Sequence, residues 1–132
     1  MLALTGSGAA ENAGKGRGEG MLDPQENGAP VGGAIDLAHL ARQTLGSAEL
    51  KREVLELFVA QALFVRDEVH KVELEARRRL AHGLVGSARA VGAFALADCA
   101  AALEASPGSA ALAESLSTLI DDVRASASEL ML

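Results

Sequence analysis

Tryptophan and tyrosine are absent, and three phenylalanines are the whole aromatic content of a 132-residue chain. Surfaces that stack bases on aromatic rings are therefore missing. A formal net charge of −6 also denies the chain the basic footprint of general nucleic-acid binding. The single cysteine, Cys99, excludes an internal disulfide and suits a reducing compartment. No apolar run approaches the ~18 residues of a membrane span, and the N-terminus lacks the basic-then-apolar order of a secretion signal. These absences lead to the expectation of a cytoplasmic protein with neither nucleic acid nor membrane as partner. His39 and His70 have no Cys or His at metal-ligand spacing, so no metal site is expected on the chain.

Proline is scarce and unevenly placed, with two of its three copies before residue 36. Residues 1–35 are glycine-rich and have no apolar periodicity. They read as a disordered arm or linker, because too little apolar surface is present to offset ordering the backbone. A phosphate loop is excluded there: Gly8 and Gly14 are one residue too far apart, and Gly16 follows Lys15 where Ser or Thr is required. Residues 36–132 are rich in Ala, Leu and Glu and long enough for one modest helical domain.

What is present has helical period throughout, and no segment alternates as a strand does. Asp36 caps a short helix over 37–45, with Leu37, Leu40 and Ala41 inward and Gly46 ending it. Ser47 caps a helix to about His70, with Leu50, Val54, Leu57, Phe58, Ala62 and Val65 as its apolar set. A third helix runs from about Val72 to Gly92, a residue suited to the left-handed conformation past a helix end. A fourth spans about 93–105 with Phe94, Leu96, Cys99, Ala100 and Leu103 inward, and Phe58, Phe64 and Phe94 are all expected in the core. After the turn Ser106-Pro107-Gly108, the last helix covers about 109–130 with Leu112, Leu116, Leu119, Ile120 and Val123 inward. The expected fold is all-α: an antiparallel up-and-down four-helix bundle with a short additional N-terminal helix.

The most informative stretch runs from Ala81 to Gly92. At ~100° per residue, Leu80, Leu84, Ala88 and Val91 share a flank opposite His82. The wet face carrying His82 also carries Gly86 one turn on, Arg78 one turn back, Arg79 beside it and Arg89 two turns on. Free imidazole titrates near pH ~6.5, which makes a neutral histidine a good nucleophile near neutrality. A helix holds it rigidly for in-line transfer. Glycine inside a helix costs about 1 kcal/mol, and Gly86 sits where a side chain would obstruct a visiting active site. The three arginines are placed to stabilise a phosphorylated ring; Arg77 points away from His82. Alternatively, His82 is an ordinary surface histidine and the arginine run a solvated charge face paired with Glu73 and Glu75. Cys99, at core spacing with Leu96 and Leu103, is packing.

His82-Gly83-Leu84-Val85-Gly86-Ser87-Ala88, followed by Gly92, Leu96, Cys99 and Leu103-Glu104, resembles the phosphorylation motif of histidine-containing phosphotransfer (HPt) domains. Ile35-Asp36-Leu37 and Glu53-Val54-Leu55-Glu56-Leu57-Phe58 are similar to that family's first two helices, so the likeness covers about residues 35–130. The resemblance implies a carrier that takes a phosphoryl group on His82 from a receiver-domain aspartate or a sensor kinase, including a hybrid kinase, and passes it to another receiver. Such a carrier has no catalytic cycle and no ATP site of its own, and no cofactor; the receiver supplies the divalent metal. One departure is plain: Val85 stands where the family usually has Lys. Val85, Gly83 and His39 are expected at the docking surface, and the chain is expected to be a monomer. Two rival readings are a bundle that lost its chemistry with that Lys and binds or sequesters a receiver, and a fragment of a larger sensor kinase. Met1 and the lack of a kinase segment weigh against the latter.

Overall fold

Side-chain oxygens mark four of the five helix starts. In a computed structural model describing residues 34–131, the helices are α1 (Leu37–Gln43), α2 (Ala48–Glu68), α3 (Leu74–Val91), α4 (Phe94–Ala105) and α5 (Ala110–Leu130). Asp36, Ser47 and Ser109 each accept from the backbone N–H three residues on, at 3.0, 3.0 and 3.1 Å. Glu73 accepts from the Glu75 N–H at 2.8 Å. Each cap satisfies a donor that the first helical turn cannot pair internally. The start of α4 has no such cap; it follows directly on the α3 terminus, where Gly92 adopts φ 88°. The expected arm at residues 1–35 lies, apart from its last two residues, outside the described residues.

All regular structure among the described residues is helical. α2 packs on α3 and α5, α3 on α4, and α4 on α5, with α1 laid against α3. Short connections make successive helices antiparallel, which gives the up-and-down bundle. The core is one cluster running from Ile35 to Ala127, its largest members Leu55, Phe58, Leu84, Leu96, Leu103, Leu116 and Ile120. Arg77, which the helical wheel turned away from His82, ties bundle segments together. Its Nε donates to the Val69 carbonyl and its Nη1 to the Pro107 carbonyl, both at 2.8 Å. Arg66 pairs with Asp121 across α2 and α5, and that hydrogen bond holds its guanidinium above the usual pKa.

Several expected core positions are displaced. On α2, Leu55 is buried and Leu57 is 74% exposed. The two are apolar, two residues apart, so hydrophobicity could not choose between stripes; the packing axis passes through Leu55, Phe58, Ala62, Val65 and Val69. Phe64 (59% exposed) and Phe94 (40%) also leave the core, as do Leu37 and Ala41 of α1, which buries only Leu40. On α3 Ala81 is fully buried and Leu80 only partly, because the small alanine lets neighbouring helices approach there. Cys99 is half-buried, its thiol 3.6 Å from the Leu112 carbonyl, and burial pushes its pKa up.

Candidate functional site

α3 and α4 form a hairpin closed at Gly92-Ala93, and this closure sets up the site. Gly92 must be glycine twice over. Its φ of 88° lies in the left-handed region, and a Cβ there would meet the Asp36 carbonyl oxygen at 2.9 Å. The Asp36 N–H donates to the Gly92 carbonyl at 2.9 Å, so the entry to α1 is pinned to the end of α3. With the turn fixed, His82 eleven residues before Ala93 and Glu104 eleven after come face to face across the hairpin.

The His82 side chain is 74% exposed, and its Nδ1 lies 2.8 Å from Glu104 Oε2. An ionised carboxylate can only accept a hydrogen bond, so Nδ1 carries the proton. In the neutral ring the lone pair then falls on Nε2. The carboxylate also orients the ring and can stabilise positive charge that develops on it, as an acidic partner does for other nucleophilic or ligating histidines. Glu104 was quoted in the family-like pattern without a role. Its equal spacing from the hairpin turn is the signal that pairs it with His82.

The arginines are distributed unevenly about this pair. Arg78 donates to the Glu104 backbone carbonyl at 2.8 Å and to Glu75 at 3.2 Å, which places its guanidinium beneath the His82–Glu104 contact. Arg79 meets Glu75 at 3.8 Å. Arg89 is exposed and loosely paired with Asp98 at 4.0 Å. The hydrogen-bond partner of the ring is thus a carboxylate, with the guanidiniums held at its margins by acids.

Gly86 occupies ordinary helix, and a Cβ built on it would meet nothing within 4 Å. Gly83 is nearly as open, its Cβ reaching only the Gln61 amide at 4.0 Å. Neither glycine is required by backbone conformation or by packing within the chain. Gln61 of α2 fixes the register on that side: its Nε2 donates to the Gly83 carbonyl at 3.3 Å, and its Oε1 accepts from Ser87 Oγ at 2.7 Å. Gln61 was not singled out in the sequence and Ser87 was quoted there only within the family-like motif, since a Gln–Ser contact between neighbouring helices leaves no periodic trace.

Val85 is partly buried against the core and brings no charge to the site. His39 is not part of it. It sits on α1, its ring centroid 5.1 Å from that of Phe94 in an edge-on contact, and its Nε2 is buried without a hydrogen-bond partner. Phe94 opens α4 just beyond Gly92, which lies ten residues, or ~15 Å of helix, from His82. No helix among the described residues is long and apolar enough to cross a membrane.

No curated protein and no solved structure matches the chain. The model of the family described as "Hpt domain" matches residues 41–126, well over half of the sequence, from the C-terminal part of α1 to most of α5 and including His82, Gly86 and Glu104. All-helical architecture and sequence match agree, and membership implies phosphotransfer in two-component systems: the chain belongs to the Hpt domain family.

Proposed function

We propose that this chain is a phosphorelay carrier in which Nε2 of His82 takes a phosphoryl group from the aspartyl phosphate of a receiver domain, or from a sensor kinase, and delivers it to a second receiver aspartate. The observation carrying this reading is the His82 ring itself: exposed on a rigid helix, its Nδ1 2.8 Å from Glu104 Oε2, and open at Gly86 on the approach side. In the forward step the Nε2 lone pair attacks phosphorus. An N–P bond forms as the P–O bond to the donor aspartate breaks, and the carboxylate leaves. The ring gains positive charge, and the Glu104 carboxylate on Nδ1–H offsets it. Delivery reverses the sequence, with the acceptor carboxylate attacking phosphorus and His82 leaving as a neutral imidazole.

The chain supplies orientation and access, while the divalent metal that neutralises phosphoryl charge belongs to the receiver. Arg78, Arg79 and Arg89 provide the positive charge that Val85 does not. Residues 36–132 form the phosphotransfer domain. The chain works in the cytoplasm as a monomer and uses no cofactor of its own.

Val85 favours one alternative, a bundle that binds a receiver without accepting phosphate. Incubation with a phosphorylated receiver separates the two. The relay predicts acid-labile, base-stable label on this chain that disappears in His82→Gln; binding without label establishes the alternative.

A further inference from the structure

Arg78 is tied into the chain in a way that Arg79 and Arg89 are not. Its Nη1 donates to the Glu104 backbone carbonyl at 2.8 Å and its Nε to Glu75 Oε1 at 3.2 Å. Arg79 meets Glu75 at 3.8 Å and Arg89 meets Asp98 at 4.0 Å, both long for an ion pair. The Glu104 carbonyl belongs to the last turn of α4, where carbonyls find no partner within the helix. The Ser106 N–H turns back to Ala102 and Leu103, and Arg78 supplies the donor for Glu104, a cation at the negative end of the helix. Glu104 is therefore gripped twice from α3: its backbone by Arg78, and its carboxylate by His82 Nδ1 at 2.8 Å. Arg78 and His82 stand one helical turn apart.

The second grip needs the first. The His82 and Glu104 side chains are 74% and 34% exposed, and a polar contact between exposed side chains gains little once the cost of ordering both is met. α4 ends one residue after Glu104, and helix ends fray unless their terminal groups are held. Arg77 holds the following turn through the Pro107 carbonyl. Arg78 is the tie that acts on Glu104 itself.

We propose that Arg78 is a positioning residue for phosphoryl transfer: by holding the Glu104 backbone it keeps the carboxylate on the Nδ1–H of His82, and so keeps the lone pair on Nε2. The proposal rests on the phosphotransfer reading of His82 and deepens it. A neutral imidazole exchanges between two tautomers, and only the one protonated at Nδ1 can attack through Nε2. When Glu104 is loosened, rings protonated at Nε2 gain population and are lost to the reaction. A guanidinium suits the task because its planar fork fixes two donors at once, which an ammonium group cannot do. Arg78 adds its charge from the margin, but what distinguishes it is geometric. Arg79 and Arg89, with their looser partners, remain for the phosphoryl charge itself.

The test uses the full chain and phosphoramidate, a small donor that releases ammonia as Nε2 takes the phosphoryl group and needs no docked partner. Tautomers of His82 are read by ¹⁵N NMR at about pH 9, where free imidazole is neutral, in wild type, Arg78→Ala and Arg79→Ala. Labelling rates are measured for wild type, Arg78→Ala, Glu104→Ala and the double variant. The Arg78 side chain is 44% exposed and alanine favours a helix, so helix content should hold. Arg78→Ala should raise the share of rings protonated at Nε2 by about twofold or more and slow labelling about threefold. Arg79→Ala should keep the wild-type tautomer ratio, since it removes a guanidinium without touching Glu104. On the Glu104→Ala background, removing Arg78 should change the rate by less than about 1.5-fold, because no carboxylate is left to position. A wild-type tautomer ratio or an unchanged labelling rate in Arg78→Ala overturns the proposal. So do losses that multiply in the double variant, which would assign Arg78 to the phosphoryl charge directly. If the wild type takes phosphate neither from phosphoramidate nor from a phosphorylated receiver domain, the reading of His82 fails and the proposal falls with it. If the wild type is labelled while Arg78→Ala matches it in tautomer or rate, the proposal alone fails.

Discussion

Gly92 and Gly86 lie six residues apart on one helix and have opposite explanations. Gly92, buried at the α3 terminus, is dictated by the chain itself: a positive φ and a backbone oxygen 2.9 Å from any Cβ. Gly86, exposed in mid-helix, is dictated by nothing within the described residues. Its Cβ would meet open space, and an alanine there would favour the helix. A residue that weakens its own element without an internal reason points outward, to something that must come close. Nearly the same sequence signal, glycine in an Ala- and Leu-rich helix, thus reports the fold at one position and a visitor at the other.

His82→Gln should have the largest effect, complete loss of phosphoryl label with thermal midpoint unchanged, because the ring is exposed and its removal leaves no cavity. Gly92→Ala comes next and should act on the fold, lowering stability by about 2 kcal/mol or more in denaturant titration through left-handed strain and the contact with Asp36. Transfer per folded molecule should stay near wild type. Gly86→Gln should show the reverse pattern: intact or raised helix content and at least ~10-fold slower transfer, equivalent to ~1.4 kcal/mol. If Gly86→Gln unfolds the protein, or transfers normally, the contrast between the two glycines is broken. Glu104→Gln should slow transfer by about fivefold, near 1 kcal/mol for loss of a charge-assisted hydrogen bond, with a shift in the His82 ring nitrogen resonances. The smallest effect is expected for Gly86→Ala, a gain of up to about 1 kcal/mol in stability.

How far the sequence alone reaches differs between these regions for physical reasons. Two helix starts were legible as caps because Asp36 and Ser47 act within three residues of themselves, and the α3 terminus because Gly92 carries its constraint locally. The inward face of α2 was not legible in full: Leu55 and Leu57 are equally apolar, and only packing against α3 and α5 decides between them. The same ambiguity placed Phe64 and Phe94 in the core, although Phe64 stands mostly in solvent and Phe94 is partly exposed against His39. At the site, His82 and Gly86 could be read from one helix. Glu104 needed the hairpin geometry, and Gln61 needed the neighbouring helix. His39 looked like a surface residue of a short helix, whereas tertiary packing tucks its ring against Phe94, away from His82.

The central claim concerns one nitrogen atom. Long-range ¹H–¹⁵N NMR of the phosphorylated, histidine-labelled chain should show a single modified imidazole, that of His82, phosphorylated at Nε2 with its proton on Nδ1. Phosphate on Nδ1 of His82, or on His39 or His70, would contradict the account.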